Sequence, residues 1–393
     1  MPQTPGAVIP SSGVLLHIGP RKTATTTIQI AFAAGRQVAK DHGVLYPNTA
    51  HRKKNIPNFT MDDLNIVGLD IVGNEQWSQV SAEVAGWQGR CFASNEKLER
   101  VSVEDARKVV AALGGDRVSV LITARRLSGA LPSLWQQLVK RRGLTQTLET
   151  WVVDRLNDET DPIWNGQRID ELAKRWGQVV GEHNVYILPI DLPGIDVVDC
   201  VGSLLGMPPG VLPVVDRNLG MTASETELLR QRNLLVESGE LPAKGHARIG
   251  SQFQREVRDV EPRPTESKPV LPDRLLPQIR AIQREIVDGL LSGDFQVLAD
   301  ISAWNTPRMK DYATSPDTLF DPRDGPSLIP AYAVAALWRV SSAVTSALDA
   351  DQGPPCSRPT KPAQKAPTRL NLSELARRIK PKLGFERTKR STQ

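Results

Sequence analysis

Between Val14 and Phe32 an apolar run stops at a Gly-Pro pair, and a second apolar pattern then starts at helical spacing. Val14 to Ile18 reads as a strand, Gly19-Pro20 as its end, and Ile28, Ile30, Ala31 and Phe32 as the apolar side of a helix. The turn between them carries Lys22 and the hydroxyls of Thr23, Thr25, Thr26 and Thr27. Strand, turn and helix in that order set a helix N-terminus beside an ammonium. Free backbone N–H groups, the helix dipole and Lys22 then converge on one place, which suits a phosphate or a sulfate.

The same rhythm continues along the chain. A helix is expected from about Thr25 to His42, then a short extended piece at Val44-Leu45-Tyr46-Pro47. Arg90 to Ser94 reads as a second strand end, and Ser102 to Leu113 as a capped helix stopped by Gly114-Gly115. Val118 to Thr123 is a third strand, Ile169 to Val180 a helix ending at Gly181, and Val185 to Leu188 a fourth strand. Strands alternating with helices argue for an α/β fold, a parallel sheet covered by helices. The second half is less regular. Ser224 to Leu235 reads as a helix with Glu225, Glu227, Arg230 and Arg232 exposed, and Leu275 to Leu291 and Ile329 to Leu348 as further helices. The reading divides the chain into an α/β domain over 1–310 with a helical insertion around 221–292, a helical segment over 311–350, and a tail over 351–393. A Pro-rich stretch at Glu261 to Asp273 reads as a loop or linker.

The net charge of +5 belongs to that tail. From Ser357 to Gln393, eleven Lys and Arg stand against Glu374 and Glu386, a net of +9, which leaves the rest of the chain at −4. The folded part is therefore not read as a nucleic-acid binder. Leu372, Leu375, Ala376 and Ile379 form a short amphipathic stripe in a tail otherwise expected to be disordered. It offers a weak contact to an anionic membrane surface or an acidic partner, against the plainer reading of a solvated extension. Cys91, Cys200 and Cys356 are odd in number and far apart, which argues against a disulfide framework or zinc site and fits a cytoplasmic protein. No signal peptide or membrane span is expected.

The turn departs from the Walker A loop, because no glycine directly precedes Lys22. It resembles instead the 5′-phosphosulfate loop of the sulfotransferases, whose bacterial and heparan-type members carry H-I-G-x-x-K-T-G-T-T-x-x-Q. Here the segment reads His17-Ile18-Gly19-Pro20-Arg21-Lys22-Thr23-Ala24-Thr25-Thr26-Thr27-Ile28-Gln29. Ala24 stands where that family usually has glycine, and a positive φ there would be costly for it. A second element has the family's spacing. Val118 to Thr123 leads into Ala124-Arg125-Arg126, and Ser133 follows Arg125 by eight residues, with Trp135 two further on, as in R-x7-S-x-[YW]. Similar segments at Leu172 to Leu188 and Asn218 to Asn233 extend the resemblance over roughly Val14 to Asn233.

The resemblance implies a P-loop-type parallel sheet flanked by helices and a mostly helical C-terminal half. It also implies sulfuryl transfer from 3′-phosphoadenosine-5′-phosphosulfate (PAPS), without a metal, to a hydroxyl or amine of a small molecule, glycan or glycolipid. Arg21, Lys22, Thr23, Ala24, Thr25, Thr26 and Thr27 would line the phosphosulfate. Arg125 and Ser133 would take the 3′-phosphate, where a guanidinium grips in a bidentate manner. Lys22 would stabilise the leaving phosphate, and Glu96, 29 residues before Arg125, is the first choice of base. His17 reads as a core histidine, and Trp135 and Trp176 as core residues. The charge run His51-Arg52-Lys53-Lys54 reads as a solvated face or as an attraction for an acidic acceptor. Two other readings stay open: a P-loop kinase using ATP and Mg²⁺, and a catalytically weak sulfotransferase-like binding protein. Acceptor identity and oligomeric state are not legible.

Overall fold

The computed structural model describes residues 8–47, 75–158, 161–214, 220–241, 245–258, 268–308, 311–313 and 331–350. The basic tail, the His51 to Lys54 run and much of the Pro-rich stretch lie outside them.

Eight strands are present among the described residues: β1 Val14–His17, β2 Val44–Leu45, β3 Arg90–Ser94, β4 Val118–Ala124, β5 Val185–Pro189, β6 Leu271–Pro272, β7 Gln296–Val297 and β8 Tyr312–Ala313. Six form one sheet in the order β2-β3-β1-β4-β5-β7, and every pairing in it is parallel. β6 and β8 make a separate two-stranded ladder. The helices are α1 Thr25–Ala34, α2 Arg36–Asp41, α3 Glu75–Ala85, α4 Val103–Leu113, α5 Leu127–Arg142, α6 Leu148–Leu156, α7 Pro162–Asn165, α8 Ile169–Val180, α9 Val197–Leu204, α10 Ala223–Glu237, α11 His246–Arg258, α12 Leu276–Leu291 and α13 Ala331–Ala350. The fold is α/β, a parallel sheet flanked by helices.

β1 and β4 are buried at every position. Strands covered on both sides carry continuous apolar runs rather than alternation. Leu15, Phe92, Leu121 and Leu188, from four neighbouring strands, meet Ile28 and Phe32 of α1 and Val201 and Leu204 of α9 in one core. The Phe32 and Phe92 rings meet in a tilted pair, 4.3 Å between centroids. α4 and α8 pack against each other and α8 against β4. The helix after β1 thus lies with α9, apart from the α4–α8 pair, and β1 stands between β3 and β4 where the connections part. In open parallel sheets the carboxyl edge at such a place is where ligands bind.

The chain packs as two compact units. One holds the large sheet and draws its described residues from 1–134, 148–219 and 270–316; the other draws its described residues from 135–147, 220–269 and 317–350. The second unit is helical where described. Ile249, Phe253 and Val257 of α11 and Ala336, Leu337, Val340 and Val344 of α13 form buried stripes at helical spacing.

Two local expectations need correction. The helix expected over Thr25 to His42 is two helices, parted at Gly35, where an added Cβ would lie 2.6 Å from Leu212 and 2.8 Å from Pro213. The charged side chains expected to be exposed on α10 are not: Glu225, Glu227 and Arg232 are buried. Glu225 closes a capping box with Thr222, Glu227 accepts from Arg230 and Gln231, and burial pulls Arg232 down to about 10. Charge pattern alone did not show these pairings.

Candidate functional site

β1 ends at His17, and the chain turns through Gly19 to Thr25 before α1 begins. Two residues of that turn take left-handed backbone, Lys22 at φ 72 and Ala24 at φ 66. The position where the resemblance called for glycine therefore does require positive φ, and alanine adopts it at a cost of roughly 1–2 kcal/mol. Ala24 is the N-cap of α1, with no side-chain cap and no acid in the first turn. The first N–H groups of α1 thus keep their pull on an anion. Thr25 Oγ1 is buried and unpartnered at this helix start. A buried hydroxyl without a partner is uncommon and fits a site that receives an oxyanion. Thr26 is exposed and Thr27 half-buried on the same turn.

Beneath the turn runs a chain of hydrogen bonds whose direction follows from its ends. Pro20 O can only accept, so the Thr23 hydroxyl donates to it. Thr23 Oγ1 then accepts from Thr123 Oγ1 at 2.8 Å, and Thr123 accepts from His17 Nε2 at 2.9 Å. His17 Nδ1 is left as the acceptor and takes the Ser94 hydroxyl proton at 2.9 Å. Ser94 Oγ accepts from Gln29 Nε2 at 3.1 Å. The chain fixes the Nε2–H tautomer of a neutral imidazole, and burial holds the His17 pKa down to about 3. His17 is the core histidine that its place at a strand end suggested. Gly19 has no room for a side chain here: a Cβ would overlap the Thr123 hydroxyl and approach His17 Nε2 to 2.7 Å.

Thr23 departs from its expected role in one respect. Its hydroxyl is buried and donates to Pro20 O, so that proton is not offered to a ligand. Its backbone N–H remains part of the turn.

Glu96 starts a 3-10 turn directly after β3, on the carboxyl edge beside β1, and is half-buried. Glu99, in the same turn, escaped the sequence reading. Its carboxylate is 3% exposed. It accepts the Arg21 N–H at 3.0 Å, lies 3.6 Å from Arg21 Nε, and accepts from Arg100 Nε at 3.1 Å. Burial raises its pKa, and Arg100 and Arg21 oppose the rise. Nothing in the sequence separates Glu99 from Glu96, since its partner lies 78 residues away.

β4 ends at Ala124, next in the sheet to β1, and Arg125 and Ser133 come together there. Arg125 Nη1 donates to Ser133 Oγ at 3.0 Å. Gly129 lies under the guanidinium: a Cβ at 129 would be 2.9 Å from Arg125 Nε. Burial lowers the Arg125 pKa, while Asp191 and Asp311 act the other way. The guanidinium remains charged. Around it is an ion cluster that motif reading missed. Arg308 Nε donates to Asp311 Oδ2 at 2.9 Å, Ser128 Oγ donates to the same atom at 2.7 Å, and Asp191 Oδ2 lies 3.6 Å from Arg308 Nη2. Asp191 follows the end of β5, so its place after an apolar run was the available signal. Trp135 and Trp176 are core residues. Among the described residues no cluster of His, Cys, Asp and Glu has the makings of a metal site, and no helix is long and apolar enough to cross a membrane.

No protein-family model matches the chain, and no curated protein matches it. Among solved structures it is similar to a crystal structure of a sulfotransferase from Alicyclobacillus acidocaldarius, at 15% identity over 57% of this chain and 95% of that chain, with a TM-score of 0.35. At that distance the likeness carries no argument about chemistry, and any functional reading rests on the residues of this site.

Proposed function

We propose that this chain is a PAPS-dependent sulfotransferase. The observation that carries the reading is the Arg125–Ser133 pair, hydrogen-bonded at 3.0 Å at the end of the strand next to the phosphate loop. One oxyanion site at the start of α1 suits many nucleotides. A part-buried guanidinium after the adjoining strand, with a hydroxyl beside it from the following helix, offers a second, suited to the 3′-phosphate that ATP lacks. The unpartnered Thr25 hydroxyl and the uncapped start of α1 fit the phosphosulfate.

In this reading backbone N–H groups from Lys22 to Thr27, with the hydroxyls of Thr25, Thr26 and Thr27, hold the 5′-phosphosulfate, while the Arg21 N–H stays with Glu99. Glu96 takes the proton of the acceptor hydroxyl or amine as the acceptor atom bonds to sulfur. The bond from sulfur to the bridging oxygen breaks, and its electron pair leaves on the 5′-phosphate. Lys22 stabilises that charge, and the rate gain comes from orientation and electrostatics. The reading calls for no metal. The acceptor is a small molecule, glycan or glycolipid.

The test is thermal. 3′-Phosphoadenosine-5′-phosphate (PAP) is expected to raise the melting temperature of the full-length protein, and ATP with Mg²⁺ to leave it unchanged. The reverse pattern favours a kinase, and no shift with either removes the proposal. Turnover of ³⁵S-labelled PAPS with a mixed acceptor pool then separates an enzyme from a binder.

A further inference from the structure

Two clamps close on Lys22, one from each side. Lys22 holds φ 72, a region disfavoured for L side chains, and such strain persists only where the surroundings over-determine it. On its N-terminal side Glu99 accepts the Arg21 N–H at 3.0 Å and pairs with the Arg21 guanidinium. On its C-terminal side the Thr23 hydroxyl is fixed between Pro20 O and Thr123 Oγ1, and Thr123 is fixed in turn by His17. Glu99 and Thr123 are both buried, so water cannot readily stand in for either. The residues flanking Lys22 are thus tied to the ends of β3 and β4, which leaves its own backbone little freedom.

We propose that Glu99 and Thr123 are positioning residues: they keep Lys22 in its left-handed conformation and so set where its ammonium meets the charge developing on the leaving phosphate. The catalytic part of this rests on the sulfuryl-transfer reading; the clamp itself does not. The Glu99 carboxylate is engaged by the loop, a role distinct from the one proposed for Glu96.

The test is an unfolding cycle on the full-length protein, with Lys22→Gly made alone and in the Glu99→Met and Thr123→Val backgrounds; methionine is close to glutamate in size but has no oxygen to accept the Arg21 N–H. Glycine takes positive φ freely, so Lys22→Gly raises the urea midpoint of the otherwise wild-type chain. Once a clamp is gone the lysine has already relaxed, and the same change raises the midpoint less or not at all. An equal rise in every background overturns the clamp, and if Thr123→Val does not fold, Glu99→Met alone decides the cycle. With PAPS as donor, Glu99→Met and Thr123→Val each lower kcat on the order of 10–100-fold and change KM far less. Thr123→Ser, which keeps the hydroxyl, retains kcat. A loss confined to KM overturns the role in catalysis. If the wild-type chain turns over no PAPS, the sulfotransferase reading fails and the unfolding cycle still decides the clamp.

Discussion

Arg125 reaches Ser133 eight residues along the chain, and its Nη1 donates to the Ser133 hydroxyl at 3.0 Å with Gly129 beneath the guanidinium. The strand end supplies the charge and the first turns of α5 supply the hydroxyl. A 3′-phosphate bound here takes a charge-assisted bond from the arginine, worth roughly 1.5–3 kcal/mol. Arg125→Ala is expected to weaken PAP binding about 10–100-fold and Ser133→Ala less. Neither should change affinity for a nucleotide without a 3′-phosphate. Isothermal titration with PAP and with 5′-AMP checks this; equal losses for both would place the 3′-phosphate elsewhere.

Gly129 gives a sharper variant, because stability and binding should move apart. Alanine is favoured over glycine in a helix by about 1 kcal/mol. The three atoms nearest the new methyl all belong to the Arg125 guanidinium, with Nε at 2.9 Å. Gly129→Ala is therefore expected to leave the urea midpoint unchanged or raised and to weaken PAP binding by displacing the guanidinium. Unaltered PAP affinity would show that the pose of Arg125 is immaterial.

Ala24 carries strain that glycine would not. Relief of positive φ is worth roughly 1–2 kcal/mol, and glycine's extra freedom in the unfolded chain takes back about 0.5–1. Ala24→Gly should therefore stabilise the protein by roughly 0.5–1 kcal/mol. Denaturant unfolding measures it, and a lower midpoint would mean that φ 66 is comfortable for this residue.

His17 predicts an acid limb. Burial depresses its pKa to about 3, against an ordinary value near 6.5. Below pH 6.5 the unfolded chain binds a proton that the folded chain refuses. The stability contribution is thus complete above pH 6.5 and is lost as pH falls towards 3, with a ceiling on the order of 5 kcal/mol. Urea midpoints measured from pH 7 to pH 4 should decline, and His17→Gln should flatten the decline. Nitrogen-15 spectra at pH 5 should show a neutral ring protonated at Nε2; an imidazolium signal would contradict the bond directions drawn through Thr123 and Ser94.

The central strands were legible because burial on both sides writes them as apolar runs, as in Val14 to Leu16 and Val120 to Ile122. The Ser102 cap and the Gly114 stop of α4 were legible because capping is local chemistry. Arg125 and Ser133 shared that advantage, being eight residues apart. β6, β7 and β8 were not, since two residues carry no periodicity. Gly35 showed no sign that Leu212 and Pro213 press against it. The largest omissions, Glu99 and the hydroxyl chain through His17, depend on partners 77 to 106 residues away. Spacing along a chain has no access to such pairs.

Those separations also bear on the order of assembly. Closing long stretches of chain costs entropy before any contact repays it, and parallel pairings are formed slowly for that reason. The turn around Lys22 lies near the start of the chain, yet Ser94, Glu99 and Thr123, which brace it, arrive far later. A nascent chain that has reached only α4 holds the lysine and threonines but lacks the Thr123 bond that fixes the turn from below. The turn is fixed from below only when β4 takes its place beside β1, so the order of the Lys22 turn reports that the centre of the sheet is finished.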